Sequence, residues 1–177
     1  MTSNFSKYRT KGLIIIYSIF FVRGFFYSFI LLISILGFSD QAKSSEEKSI
    51  TFETSELTIV TAGNRYRFWV EVAQSVAQRQ QGLMGRQEML ADRGMLLDFG
   101  FLQQVHMWMK NTYIPLDMVF LDEVGNINAI AAETTPFSID IISSPSPARA
   151  VLELNGGTVS RLRIKVGDKV FHRIFQP

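Results

Sequence analysis

One stretch near the middle of the chain brings side chains of different chemistry close together in sequence. Apolar and polar residues alternate there, so an extended chain turns His106, Trp108 and Lys110 to one face, and Asn111 and Asp117 follow within a few residues. A lysine can hold an anion, an amide can orient a carbonyl group, and a carboxylate accepts from a hydroxyl group or an amine. This pattern predicts a polar cluster that binds a small polar ligand or a chain terminus.

The same side chains also have a purely structural interpretation. Lys110 would then pair with Asp117 or Glu153, while the Asn111 amide bonds turn backbone. Arg86 follows a Gly-Leu-Met turn, where its guanidinium can clamp a carboxylate of the fold or of a ligand. Both interpretations stay open from the sequence, and the candidate ligand-binding residues are Arg86, Trp108, Lys110, Asn111, Asp117 and Glu153.

Signals for catalysis are fewer. Asp117 and Glu153 would make an acid/base pair if the fold brought them together, with Lys110 or Arg86 stabilising negative charge. The chain has no cysteine, and its two histidines lie far apart in sequence, so we predict no metal site and no cofactor. There is no Gly-x-Ser-x-Gly motif, phosphate loop or dinucleotide fingerprint. Catalytic residues are therefore not assigned.

The charge distribution separates the N-terminus from the rest of the chain. The net charge is +2, and residues 1–42 hold four cations against one anion, which leaves the remainder close to neutral. A near-neutral domain does not have the basic surface of a nucleic-acid-binding protein. We therefore expect no nucleic acid among its partners.

The N-terminal segment predicts export across the cytoplasmic membrane. A basic start precedes two apolar runs, Leu13–Val22 and Gly24–Phe38, with Arg23 between them. Residues 1–42 are either an export signal or an N-terminal membrane anchor, and in both cases the basic flank keeps the N-terminus cytoplasmic. The rest of the chain would then lie in the periplasm, with the membrane contacted only through this segment.

Residues 43–49 are polar without periodicity and predict a flexible linker, followed by a single globular domain over residues 50–177. Strands are expected in most of this domain, with a capping box at Ser75 and Gln78 starting a short helix and a second short helix near Val159. The list of expected strands is Leu57–Thr61, Arg65–Val72, Gly94–Phe99, Val105–Met109, Leu116–Leu121, Ile127–Ala132, Ala150–Leu154 and Lys169–Phe175. The pattern predicts a β-dominated α+β fold, built as a small barrel-like or strongly curved mixed sheet with about two short helices.

Several motifs together resemble the domain-of-unknown-function family DUF192. The stretches concerned are Gly82–Arg86, Gly94–Phe99, Trp108–Asp117, Ala150–Leu154 and Val166–Asp168. The resemblance implies a small β-barrel-like domain, often behind an export signal, with no established activity. Gly85 departs from the larger residue that relatives commonly have, and the loop Thr134–Pro147 lacks the cysteine pair found in some of them.

Three hypotheses for the function follow. The first is a non-enzymatic, exported cell-envelope module that binds a small polar ligand, a peptide terminus or a partner protein at the end formed by Lys110, Asn111 and Asp117. The second is a metal-independent hydrolase or lyase that uses Asp117 or Glu153 with Lys110 or Arg86. The third is a structural or assembly partner in the envelope, whose polar block only holds the fold together.

Overall fold

The computed structural model describes residues 49–176, and the predicted signal or anchor and nearly all of the predicted linker lie outside this range. Within the range, no helix is long and apolar enough to span a membrane. The strands are β1 (Glu53–Val60), β2 (Arg65–Ala73), β3 (Arg93–Gln103), β4 (His106–Met107), β5 (Leu116–Leu121), β6 (Ile127–Thr134), β7 (Ile142–Ser143), β8 (Ala148–Asn155) and β9 (Lys169–Phe171). Two short helices, α1 (Val76–Gln81) and α2 (Thr158–Leu162), and a 3₁₀ turn (Arg173–Phe175) complete the fold.

Seven strands form one curved sheet in the order β6-β5-β8-β3-β2-β1-β9, while β4 and β7 pair separately. Only β2 and β3 run parallel; the other neighbours in the large sheet are antiparallel. The sheet curls until its edges meet, because Ile127 N–H donates to the Asp168 carbonyl and Val170 N–H donates to the Gly125 carbonyl. The predicted β-dominated α+β fold with a strongly curved sheet is confirmed.

Each face of the sheet packs against its own hydrophobic core. The inner face, defined here by Leu96, Val119 and Leu152, joins a core to which strands throughout the curl contribute. The outer face, defined by Met95, Met118 and Val151, is covered by the segment after α1 and by the β3–β5 connection. Because the central parts of β3, β5 and β8 are buried on both faces, they carry near-continuous apolar sequences, and a charged residue there is largely shielded from bulk water.

Local sequence explains most of the elements. The Ser75 hydroxyl accepts from Gln78 N–H at 3.1 Å, and the Gln78 side chain accepts from Ser75 N–H at 2.9 Å, which is the predicted capping box at the start of α1. Thr61 N–H donates to the Asn64 carbonyl and closes the predicted β1–β2 hairpin. Gly82 ends α1 at a φ of 47°, in the left-handed region.

Two predicted strands are shorter than expected. Only His106 and Met107 of the stretch 105–109 pair as a strand, with Ser143 and Ile142, although the predicted alternation of buried and exposed side chains continues through Lys110. The alternation arises because every second side chain of this segment packs into the outer core. It therefore does not require pairing with a neighbouring strand. The last strand stops at Phe171, since His172 caps a 3₁₀ turn by accepting from Ile174 N–H.

Candidate functional site

Asp117, on β5 of the large sheet, is completely buried and accepts hydrogen bonds from three backbone N–H groups. Its Oδ1 accepts from Glu133 N–H at 2.8 Å and from Gly157 N–H at 3.2 Å, and its Oδ2 accepts from Val159 N–H at 2.7 Å. The carboxylate therefore ties the end of β6 and the first turn of α2 to β5. Asp117 is a structural anchor of the inner face, because its three hydrogen bonds are all made within the fold.

Glu153 lies on β8, between Met95 of β3 and Met118 of β5, and is 4% exposed. Among residues 49–176, its Oε2 has no hydrogen-bond partner. Burial raises the pKa of this carboxyl group from 4.5 to about 7, and the positive charge of Arg86 partly opposes the rise. A carboxyl group of this kind is unusual inside a folded domain, because it destabilises the native state whenever it ionises.

The strand register places Asp117 and Glu153 on opposite faces of the sheet. Asp117 is opposite Leu154 and shares the inner face with Val119, whereas Glu153 is opposite Met118 on the outer face. The sheet itself separates the two carboxyl groups, so the hypothesis that they form an acid/base pair is wrong. The predicted gathering of Lys110, Asn111 and Asp117 is wrong for the same reason, since the Asp117 carboxylate points into the inner core.

Glu153 instead lines a pocket on the outer side of the sheet, together with Trp108 and Lys110. This Glu153 pocket is small and opens to solvent, and the space in it that admits a water-sized group is about 30 Å³. The large sheet contributes Leu97 and Glu153 to the lining, and these two residues are called the floor of the pocket. The lining residues are Arg79, Gln80, Gln81, Gly82, Leu83, Met84, Leu97, Met107, Trp108, Lys110, Thr112 and Glu153.

Trp108 and Lys110 form the rim of the Glu153 pocket. Trp108 is 48% exposed, and the Lys110 Nζ lies 5.6 Å from the centroid of its ring. In the described part of the chain Lys110 makes no ion pair, so the predicted structural pairing with Asp117 or Glu153 is absent. An aromatic plane and a free ammonium group thus stand at the entrance to a buried carboxyl group.

The walls of the pocket come from two loops that are joined to each other. Gly85 N–H, in the loop after α1, donates to the Asn111 carbonyl at 2.9 Å. Asn111 adopts a φ of 55°, in the left-handed region that asparagine tolerates better than most residues. The predicted role of Asn111 as a ligand-binding amide is not seen here, because its backbone holds the walls together and its side chain does not line the pocket.

Arg86 is engaged within the fold. Its guanidinium forms a two-pronged ion pair with Glu71 on β2, in which Nη1 donates to Oε1 at 2.7 Å and Nη2 contacts Oε2. Arg86 lies outside the pocket lining but close enough to Glu153 to lower the pKa of that carboxyl group. Of the two interpretations that the sequence leaves open for Arg86, the structure favours the clamp on the fold.

The two histidines lie apart from the pocket lining. His106 is exposed and contacts the Ser143 hydroxyl at 2.8 Å. His172 is buried, its Nε2 lies 2.6 Å from the Ser55 hydroxyl, and burial together with Arg173 lowers its pKa. No group of three or more acidic or histidine side chains suited to a metal occurs in residues 49–176.

Sequence reasoning missed the wall formed by α1 and its following loop. Gln80 and Gln81 belong to no motif, and the stretch Gly82–Arg86 indicated a turn and a family resemblance but not a pocket wall. The parallel pairing of β2 with β3 brings this loop over the outer face beside Glu153. No pattern of residue types within the loop itself indicates that position.

Comparisons with known proteins identify a family and a fold. The profile of the family DUF192, described as an uncharacterized ACR, matches residues 58–172. A comparison with curated proteins found no match.

Two solved structures are similar to this chain. A protein of Sinorhizobium meliloti 1021, named a candidate transcription regulator, is 43% identical, with a TM-score of 0.70 over 71% of this chain and 98% of that one. A protein of unknown function from Novosphingobium aromaticivorans DSM 12444 is 35% identical, with a TM-score of 0.67 over 68% of this chain and 86% of that one. Neither description states an enzymatic activity.

Proposed function

This chain belongs to the DUF192 family, and we propose that it is a non-enzymatic module that binds a small polar ligand in the Glu153 pocket. The observation that carries the proposal is the buried Oε2 of Glu153, which lacks a hydrogen-bond partner among the described residues. A buried polar atom without a partner destabilises a fold by about 1–3 kcal/mol, so its presence in a side chain that lines an open pocket calls for an explanation. A ligand that bonds to this oxygen supplies one.

The surroundings of Glu153 support binding at this place. The lining combines apolar side chains, such as those of Leu97 and Met107, with polar ones, such as those of Thr112 and Glu153. Small-molecule sites likewise combine apolar surface with polar groups that orient the ligand. Its walls are fixed, since the Gly85–Asn111 hydrogen bond joins the two loops that carry them. A pocket with preformed walls loses little conformational entropy when a ligand enters.

The chain offers an internal control for a binding experiment. Its two tryptophans are Trp108, at the pocket rim, and Trp69, on β2 and outside the pocket lining. We expect a ligand from a mixture of small polar metabolites to shift the indole N–H signal of Trp108 in an NMR spectrum of the full chain, and to leave that of Trp69 in place. Movement of neither signal across a broad set of mixtures would contradict the proposal.

An enzymatic role is the second candidate, favoured by one observation. A carboxyl group with a pKa near 7 is suited to general acid/base chemistry at neutral pH. Such an enzyme would use Glu153 alone as acid or base, since Asp117 is on the other face of the sheet. It requires a turnover that disappears in Glu153→Gln and follows the titration of Glu153, whereas a binding module shows saturation without product.

We further propose that the module acts outside the cytoplasmic membrane. The support is the sequence of residues 1–42, with its basic start and two apolar runs. A reporter enzyme that becomes active only after export, fused after Pro177 of the full chain, should be active in cells. An active reporter from a fusion lacking residues 1–42 would show that the segment is not needed for export.

A further inference from the structure

Two oppositely charged side chains of the Glu153 pocket have no ion-pair partner among residues 49–176. Glu153 lies at the floor, with its Oε2 buried and unbonded within the described chain. Lys110 lies at the rim, exposed to solvent beside the Trp108 ring. The pocket therefore presents a negative group deep inside and a positive group at its mouth.

The other cations near the pocket are already engaged. Arg79 donates to the backbone carbonyl of Asp98 at 2.9 Å and its guanidinium lies 5.1 Å from the centroid of the Phe99 ring. Arg86 is held by both carboxylate oxygens of Glu71. Because these guanidinium groups already contact the fold, Lys110 and Glu153 are the charges that a ligand would meet.

Resting on the proposed function, we infer that the ligand is a small zwitterionic amine, such as a free amino acid or a short peptide, with its ammonium group on Glu153 and its carboxylate toward Lys110. An ammonium group is a compact donor with three N–H bonds and suits a single buried acceptor oxygen, whereas a guanidinium group needs two oxygens for its planar fork. The space that admits a water-sized group is about 30 Å³, so only the ammonium end of the ligand fits beside Glu153, and the rest of the ligand lies toward the open side at Lys110.

The change in Glu153 protonation on binding distinguishes this ligand from a simple anion. An ammonium ligand needs the carboxylate form and releases a proton on binding, while an anion needs the acid form and takes a proton up. Burial raises the pKa of Glu153 to about 7, so about half a proton would be exchanged at pH 7. The neighbours of Glu153 on β3 and β5 are the uncharged Met95 and Met118, and the charged groups around the pocket are Arg79, Arg86, Lys110 and, through Arg86, Glu71.

The experiment is a calorimetric titration of the full chain with three matched probes at pH 7, in two buffers that differ in ionisation enthalpy. The probes are the dipeptide alanyl-alanine, its N-acetyl derivative and its C-terminal amide. We expect the dipeptide to bind with proton release, the N-acetyl form to bind at least about tenfold more weakly, and the amide only a few-fold more weakly, because Lys110 is exposed and screened.

Variants of Glu153 and Lys110 test whether these two side chains cause the dipeptide binding and the proton release. Glu153→Gln should weaken dipeptide binding about tenfold or more and abolish the proton release, while Glu123→Gln, at an exposed turn, should change neither. Lys110→Met should remove the preference for the dipeptide over its amide and leave the proton release in place.

Each contrary result overturns the inference in a recognisable way. Binding of the N-acetyl form as tightly as the dipeptide, with proton uptake, would show an anion site, and the proposed binding function would stand. No binding of any probe would reject the zwitterionic amine, whereas the proposed function itself fails only if Trp108 stays unperturbed throughout the broad screen.

Discussion

Asp117 and Glu153 are buried carboxyl groups on neighbouring central strands, and their surroundings are opposite. On the inner face, Asp117 accepts three backbone N–H bonds from two other segments. On the outer face, Glu153 has an oxygen without a partner in the described chain, and burial raises its pKa to about 7. A buried charge that is fully bonded holds a fold together, whereas one left unbonded opposes folding as it ionises. Burial by itself therefore does not distinguish a structural carboxylate from a functional one; the bonding around it does.

The largest effect is expected at Asp117. In Asp117→Asn one carboxylate oxygen becomes an NH₂ group, which would face a backbone N–H that the oxygen now accepts from. We expect a loss of about 3–4 kcal/mol in the free energy of unfolding, because a charged bond is removed and a buried donor is left unpaired. Urea unfolding of the full chain followed by tryptophan fluorescence measures it.

The matched control for this change is Asp122→Asn. Asp122 also accepts from backbone N–H groups, those of Val124 and Asn126, but it lies in a partly exposed turn where water can replace a lost bond. We expect its loss to be about 1 kcal/mol. Equal losses in the two variants would show that Asp117 is not the anchor of the inner face.

Replacing Glu153 is expected to stabilise the fold, whereas replacing Asp117 destabilises it, and the size of the gain depends on pH. Because the pKa is raised from 4.5 to about 7 on folding, the stability linked to this group is present below pH 4.5 and is lost as pH rises through 7. From pH 5 to pH 8 the wild-type chain should lose about 2–3 kcal/mol relative to Glu153→Gln, which has no carboxyl group to titrate. Urea unfolding at several pH values gives this difference.

The comparison with the variant is needed because His172 titrates in the opposite sense. Burial and Arg173 lower its pKa on folding, so its neutral form gains stability as pH rises through the ordinary range of histidine. His172 is present in both chains and its contribution cancels in the difference. Parallel pH profiles for wild type and Glu153→Gln would contradict a raised pKa at Glu153.

A smaller effect is expected from Arg86→Met, which breaks the ion pair with Glu71 and removes the positive charge that acts on Glu153. The pKa of Glu153 should rise further above 7, as measured by NMR titration of its side-chain carboxyl carbon. The partly exposed ion pair should account for a loss of about 1 kcal/mol in stability. Arg161→Met, at an exposed position on α2, is the control and should leave the Glu153 titration in place.

The smallest effect is expected from Lys110→Met. Lys110 is exposed and has no ion pair within residues 49–176, so the free energy of unfolding should change by no more than about 0.5 kcal/mol. A loss of about 2 kcal/mol or more in urea unfolding would show that Lys110 serves the fold. Such a loss would also show that Lys110, like Asp117, contributes to the stability of the fold.

Much of the fold follows from local sequence. The Ser75–Gln78 capping box, the hairpin closed at Asn64 and the apolar run Leu116–Leu121 are patterns whose physics acts over a few residues, and each is present as predicted. The short β7 was missed because its pairing with β4 depends on a distant partner and not on its own composition. The same is true of the end of the chain, where the bond from Ile174 to His172 shortens the last strand.

The site was only partly predictable. The prediction that Trp108, Lys110 and Glu153 are candidates needed only residue types, and these three line one pocket. The placement of Asp117 beside them failed because a shift of one residue along a strand turns a side chain to the other face, and strand register cannot be obtained from composition. The parallel pairing of β2 and β3 brings Arg86 close to Glu71. This pairing is a long-range contact that no local sequence pattern indicates.

The division of the Glu153 pocket into a floor on the sheet and walls on two loops has an evolutionary consequence. A change at Glu153 alters the stability of the fold, and under the proposed function it would alter ligand binding as well. The exposed wall side chains of Gln80 and Gln81 contribute little to the core, so their substitution should cost little stability. Under the proposed function, wall substitutions alone would change the molecule that is recognised, without passing through an unstable intermediate.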